Sequence, residues 1–222
     1  VPKTIQKQCV YCLSNKVLND NQILLHGQHL YLCAPRGQLV EGYLVISPFS
    51  CIGSLSALPA DWFPELYLII KVVSVFYQET YGVTNMTLYE QGRGGGGARI
   101  DAAGRFPFHA HLCCLPLIVD LHSFLSQHYT RKPIARLEDL SIIAPGCPYV
   151  YIESQDKTGV HKSCVYVPAT EIKSVELERI RLKPIIASLI DLPMRGNWRT
   201  YPGDNELKHL IKCFDLFKRR FQ

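Results

Sequence analysis

The chain has 222 residues, 47% of them apolar and 19% charged, enough for one large domain or a domain with a substantial extension, and a composition that excludes a disordered polypeptide. Its net charge of +5 is mildly basic; the one dense cationic cluster, Lys218, Arg219 and Arg220, reads as a helix end rather than the basic face of a specific nucleic-acid binder. Nine scattered cysteines describe no disulfide framework and point to a cytoplasmic chain with reduced thiols, while the absence of a visible signal peptide and the short apolar run around Leu66–Phe76, broken by Lys71 and Ser74, argue against a membrane partner.

In chain order, "QILLHGQHLYLCAP" (22–35) reads as two short strands around a His26-Gly27-Gln28 turn, and "GYLVIS" (42–47) as a third strand stopped by Pro48. "DWFPELYLIIKVVSVFYQETYG" (61–82) has the length of a helix, with Asp61 as its cap, Pro64 in its first turn and Gly82 at its end. "TNMTLYE" (84–90) alternates like a strand, "GRGGGGARIDAAGR" (92–105) is a glycine-rich loop, and residues 108–115 form the next strand. Beyond Leu117 a short helix near 120–129 leads to a loop containing "RKP". Two strands follow, "PYVYIES" and "SCVYVPAT", then a helix pattern over 174–190 that Pro184 kinks or breaks. "RGNWRTYPG" (195–203) is a loop, and 204–220 is a last amphipathic helix. The fold class is α+β: an antiparallel sheet with one main helix over residues 1–118, and an α/β extension over 119–222 packed on it.

Chemistry concentrates in "FPFHAHLCCLP" (106–116). On a strand, residues two apart share a face, so His109, His111 and Cys113 line one side while Ala110, Leu112 and Cys114 pack on the other. "CVYC" (9–12) has the spacing that lets two thiolates reach one zinc ion. The remaining ligands must come from distant sequence, with His109 and Cys51 as candidates. Arg195, Trp198 and Arg199 offer a phosphate or stacking edge, although a packed loop is the simpler reading.

These stretches together resemble the histidine triad superfamily. Its signature alternates histidine and apolar residues on a strand, and "HAHLCCLP" follows it with Cys113 in place of the third histidine. "EGYLVISPFSCIGSL" (41–55) is similar to the segment upstream of the triad, with Cys51 at a histidine position. "CVYC" is similar to the N-terminal pair of the zinc-containing members, and "LYEQG" (88–92) to the strand before the triad. The resemblance spans roughly residues 9–118. It implies a structural zinc held by Cys9, Cys12, Cys51 and His109, a closed three-sulfur, one-nitrogen set. It also implies that His111 attacks the α-phosphorus of a nucleotide, forming a covalent nucleotidyl-histidine that is passed to water, phosphate or a sugar phosphate.

Cys113 departs from the pattern, because a thiol is a poor phosphate donor. Gln91, Arg93, Arg99 and Arg105, on or near the glycine-rich loop, are candidates to supply those contacts. The expected function is therefore nucleotidyl transfer or nucleotide phosphohydrolysis on a nucleotide or nucleotide-sugar substrate. The alternatives are a catalytically degenerate zinc-containing nucleotide-binding module, and a biosynthetic enzyme using the same pocket for other chemistry. No membrane or specific nucleic-acid partner is expected, and a homodimer is left open.

Overall fold

A computed structural model of the chain describes residues 9, 11–92, 109–155, 158–169, 177 and 180–220. The glycine-rich loop expected over 92–105 lies outside the described residues from 93 onward.

Eight described strands form one antiparallel sheet: β1 (Ile23–His26), β2 (Leu30–Cys33), β3 (Leu44–Pro48), β4 (Thr87–Gly92), β5 (Leu112–Leu115), β6 (Thr130–Pro133), β7 (Tyr149–Gln155) and β8 (His161–Val167). Their order across the sheet is β1-β2-β3-β5-β4-β7-β8-β6. The turn at 27–29 closes the first hairpin; Glu65 caps it, its carboxylate accepting the backbone N–H groups of His29 and Leu30. The main helix, α1 (Phe63–Tyr81), carries Pro64 in its first turn, where no N–H is needed, and stops at Gly82, whose φ of 66° is the left-handed conformation a helix terminator adopts. Asp61 is not its cap: it sits in a short 3-10 turn, Ala60–Trp62, that feeds directly into the helix, and Trp62 occupies the cap position.

Alternation along the strands assigns two cores. Leu30, Leu32, Ile46, Leu88, Leu112 and Cys114 face α1, packing on Leu66, Ile69, Val73, Phe76 and Tyr77. Tyr31, Cys33, Val45, Tyr89, Cys113 and Ile152 face the opposite way. Tyr77 Oη donates to the Gly42 carbonyl at 2.7 Å and lies 3.0 Å from the Cys114 carbonyl, which pins the helix across the sheet.

The second half of the chain continues this sheet rather than building another. β7 pairs with β4 through Tyr89↔Ile152 and Gln91↔Val150, so residues on both sides of position 118 share one hydrogen-bonded ladder. The "RKP" segment, read from sequence as loop, is instead edge strand β6, with Arg131 opposite Tyr166 and Pro133 opposite Cys164. Its side chains are all exposed, so it lacks the alternation by which a strand is recognised, and a proline is tolerated at such an edge. Among the described residues this half carries the helices α2 (Leu121–Leu125), α3 (Leu140–Ile143), α4 (Leu182–Leu189) and α5 (Asp204–Arg219). The pattern expected as a helix over 174–190 is helical at Leu177 and over Leu182–Leu189, with Ile180 and Arg181 not helical and residues 174–176, 178 and 179 outside the described residues; Pro184 sits in the first turn of the second stretch, where no N–H is needed.

α4 covers the second core with Leu182, Ile186 and Ala187. α5 crosses to the first core, its Phe214 and Phe217 meeting Phe76 edge-on at 4.9 and 5.4 Å. The loop at 195–203 packs against the segment before β3: Gly37 N–H donates to the Pro202 carbonyl at 2.6 Å. Gly37 has φ +73°, and a Cβ there would lie 2.3 Å from Trp198 Cβ, so only glycine fits the approach. Arg195 is held by Glu206 at 2.9 Å and over the Tyr201 ring at 4.8 Å.

Because Phe214 is fully buried against α1, Phe214→Ala should cost about 3–5 kcal/mol. Calorimetry should show one transition moved to lower temperature. Two transitions, only one of them moved, would show that the halves fold separately.

Candidate metal centre and the adjoining histidine

The turn after "CVYC" is a 3-10 helix, Leu13–Asn15, with Cys12 at its cap. Asn15 Nδ2 donates back to the Cys9 carbonyl at 2.8 Å, and Tyr31 Oη, from β2, donates to the Tyr11 carbonyl at 2.6 Å. These bonds fasten the cysteine loop to the end of the sheet. Cys51 follows β3 by three residues, and His109 precedes β5. The order of strands, with β3 and β5 adjacent, brings both to the same corner.

There Cys9, Cys12, Cys51 and His109 offer ligand atoms that all lie within 4.8 Å of one another. Cys9 Sγ is 3.2 Å and Cys12 Sγ 3.6 Å from His109 Nδ1. A tetrahedral ion with sulfur bonds of about 2.3 Å needs its donors roughly 3.3–3.8 Å apart, so the cluster has the size of a four-coordinate site. His109 Nε2 lies 2.8 Å from the Pro48 carbonyl. A carbonyl only accepts, so Nε2 carries the proton and the Nδ1 lone pair faces the thiols. This is how an outer hydrogen bond orients a histidine ligand.

Without a cation, the three sulfurs share protons. The hydrogen bond from Cys51 is the largest influence holding Cys9 down to about 4, against burial. The same contact pushes Cys51 up, and burial pushes Cys12 up to about 11. A metal ion would replace those protons.

His111 stands immediately beyond. Its Nδ1 is 2.7 Å from the His109 carbonyl, so Nδ1 carries the proton and Nε2 is the nitrogen left for chemistry. The Tyr11 ring lies on its imidazole at 4.9 Å and 20°. Two residues on, Cys113 is 1% exposed, with its sulfur 3.1 Å from Tyr43 Oη, which in turn lies 3.4 Å from Tyr89 Oη. Burial alone would lower His111, but the Cys113 charge and hydrogen bond, with the His109 carbonyl, push it up to about 9. Burial alone would raise Cys113, and the charge and hydrogen bond of His111, with Tyr43 and Tyr89, hold it below the usual thiol value.

Of the remaining candidates, Gln91 is described. Gln91 Nε2 donates to the carbonyls of Leu177 and Ile180, both at 2.9 Å, so it ties the extension across this face of the sheet. Arg93, Arg99 and Arg105 lie outside the described residues. Sequence reasoning passed over Glu90, Tyr11, Tyr43, Tyr89 and Lys183. Glu90 is 1% exposed, accepts Leu55 N–H at 2.7 Å and Tyr149 Oη–H at 2.5 Å, and burial pushes it up to about 7. Lys183 of α4 reaches the Gly37 carbonyl and stands 5.0 Å over the Tyr43 ring; burial pushes it down to about 8. A charged residue in the apolar alternation of "TLYEQ" is the signal that would have found Glu90. Nothing local marks Lys183.

The chain is similar in part to known proteins. Residues 2–91 match the family described as "Protein similar to CwfJ C-terminal". That span holds Cys9, Cys12 and Cys51 and ends before His109. The chain is similar to Zinc finger CCCH domain-containing protein 64 of Arabidopsis thaliana, 23% identical over 97% of this chain. It spans 35% of that relative's length. Two solved structures are similar in part. One is the C. elegans NitFhit protein, 19% identical over 45% of this chain and 23% of that one, with a TM-score of 0.37. The other is a Hit-like protein involved in cell-cycle regulation from Bartonella henselae, 9% identical over 60% and 93%, with a TM-score of 0.36. Among the described residues no helix is long and apolar enough to cross a membrane.

Two outcomes follow from this geometry. Purified protein should hold about one metal ion per chain, measured by elemental analysis, and Cys51→Ala should lower both metal content and stability. Binding must displace thiol protons, so affinity should fall as pH falls; full metal retention in Cys51→Ala would remove Cys51 from the site. Separately, Glu90 holds its proton in the folded chain more tightly than when unfolded. The folded state thus binds more protons between about pH 4.5 and 7, and stability falls as pH rises through that window. Its full loss is about 3 kcal/mol. Denaturation of Glu90→Gln should lack this component, and an unchanged pH slope would show that Glu90 titrates normally.

Proposed function

We propose that the chain acts on the phosphate ester of a nucleotide, with His111 as the group that meets phosphorus, and that the metal beside it is a structural zinc. The observation that carries the reading is the hydrogen bond from His111 Nδ1 to the His109 carbonyl. It fixes a proton on Nδ1, so Nε2 is the nitrogen that carries the lone pair once His111 becomes neutral. The three-sulfur, one-nitrogen donor set suits zinc and leaves no open position for water, so the metal's role is to hold the start of β5 in place. Rigid placement of a nucleophile near its target favours reaction.

In the step proposed, His111, which the push to about 9 keeps protonated at neutral pH, first gives its Nε2 proton to solvent, and the freed lone pair forms a bond to the α-phosphorus. The bond from phosphorus to the leaving oxygen breaks, and its electron pair departs with that oxygen. An acceptor oxygen then attacks the same phosphorus, loses its proton to solvent, and releases the imidazole. Water as acceptor gives hydrolysis; phosphate or a sugar phosphate gives transfer.

A second reading has its own support. Cys113 is buried, and its thiol is engaged with Tyr43, so the third triad position does not present a phosphate donor. That favours a nucleotide-binding module in which catalysis has decayed.

Incubation with a panel of nucleoside di- and triphosphates, dinucleotides and nucleotide sugars separates these readings. The covalent mechanism predicts a nucleotide-sized mass increment on the intact protein, absent from His111→Ala, and turnover reduced at least ~10³-fold in that variant with metal content unchanged. Binding without adduct or turnover supports the decayed module. Turnover untouched by His111→Ala overturns the covalent mechanism.

A further inference from the structure

We infer that Tyr11 is a positioning residue for His111, carried by the metal-binding loop: its ring forms a wall that sets the plane of the imidazole. The inference rests on the reading of His111 given above. Tyr11 lies between two metal ligands, Cys9 and Cys12, so its backbone follows them. Its carbonyl is also held by Tyr31 Oη at 2.6 Å, from a fully buried residue of β2. With Cys9 and Cys12 in the cluster on either side of it and its own carbonyl held, the ring has little freedom except rotation about its side-chain bonds.

The ring uses that freedom to lie against His111, 4.9 Å away and 20° from parallel. It stands 6.2 Å from His109 and is tilted 50° to it, so it faces the second histidine rather than the metal ligand. An imidazole two bonds from its backbone has two torsions to fix. The hydrogen bond to the His109 carbonyl constrains the position of Nδ1, but an in-plane bond still allows the ring to rock about the N···O line. A flat surface at stacking distance removes that motion. Together they aim Nε2 in one direction. Restricting a reacting group in this way matters for rate, since small misplacement is costly.

The arrangement also ties the metal to the chemistry without making the metal a reactant. His109 holds the His111 hydrogen bond through its backbone, and the Cys9–Cys12 loop holds the stacking wall through Tyr11. Both constraints converge on one cluster. Losing the ion would loosen them together.

The test reads His111 directly. Imidazole resonances of isotope-labelled protein are assigned to His111 by their absence in His111→Ala. In the metal-loaded wild type they should carry the upfield displacement of a proton over an aromatic face. Tyr11→Phe should keep that displacement; Tyr11→Leu should abolish it while retaining metal. Chelation of the wild type should move the signal in the direction Tyr11→Leu does. On the substrate found by the adduct assay, Tyr11→Leu should lower kcat by roughly 10–100-fold with KM little changed, and Tyr11→Phe should restore it. A His111 signal unmoved by Tyr11→Leu overturns the inference, as does loss of metal in that variant, because the ring would then serve the ligand loop. A moved signal with undiminished kcat overturns it too. A wild-type chain that forms no adduct removes the covalent reading alone; the His111 signal and its recovery in Tyr11→Phe still decide what Tyr11 does.

Discussion

His109 carries three constraints at once, and the functional corner of the molecule is built around it. Its Nε2–H is bonded to the carbonyl of Pro48 at the end of β3, its Nδ1 faces the thiols of Cys9 and Cys12, and its own carbonyl holds His111. A buried imidazole is costly unless each nitrogen is engaged, and here each is. The two histidines therefore divide the labour along one stretch of backbone. The first ties a strand end to a cluster that could hold a metal ion; the second is oriented by the first and stays half-buried.

The extension after position 118 is part of this arrangement. Sheets bury each face against something. α1 covers one face of the sheet, and without residues 119–222 the other would expose Tyr31, Val45, Tyr89 and Cys113. α2 and α4 cover it, and Gln91 bonds across to the carbonyls of Leu177 and Ile180. The same covering helps explain the cysteine at the third triad position. At 1% exposure, among Tyr43, Tyr89 and Val45, there is room for a thiol and none for an imidazole without repacking. Cys113 is part of a core, and its polar influence runs through His111 and Tyr43.

Much of this was legible in the residues. Short β-branched and aromatic runs bounded by turn residues placed β1, β2, β3, β4, β7 and β8. The length of the apolar period, Pro64 and Gly82 placed α1. Alternation placed Cys113 and Cys114 on opposite faces. What failed did so for identifiable reasons: β6 is an exposed edge whose side chains do not alternate, Ala110 N–H is drawn to the Ile52 carbonyl so that the described part of the strand expected over 108–115 begins at Leu112, and Asp61 was displaced as a cap by a 3-10 turn.

The sequence by itself determined which residue types stand at which spacing, and hence a cysteine pair suited to a metal, two histidines two apart, and an antiparallel α+β chain. Those are consequences of local geometry: periods of two and 3.6, and the reach of two thiolates across a tight turn. Spacing left Cys51 and His109 as candidates, and the resemblance named them; the tertiary structure brings them to the cysteine pair, since β3 and β5 become neighbours through long-range pairing. Only it decided that Glu90 would be buried and Tyr11 would lie on His111. Such juxtapositions depend on which strands meet and which face is covered, and no pattern along the chain encodes the distance between residues a hundred positions apart.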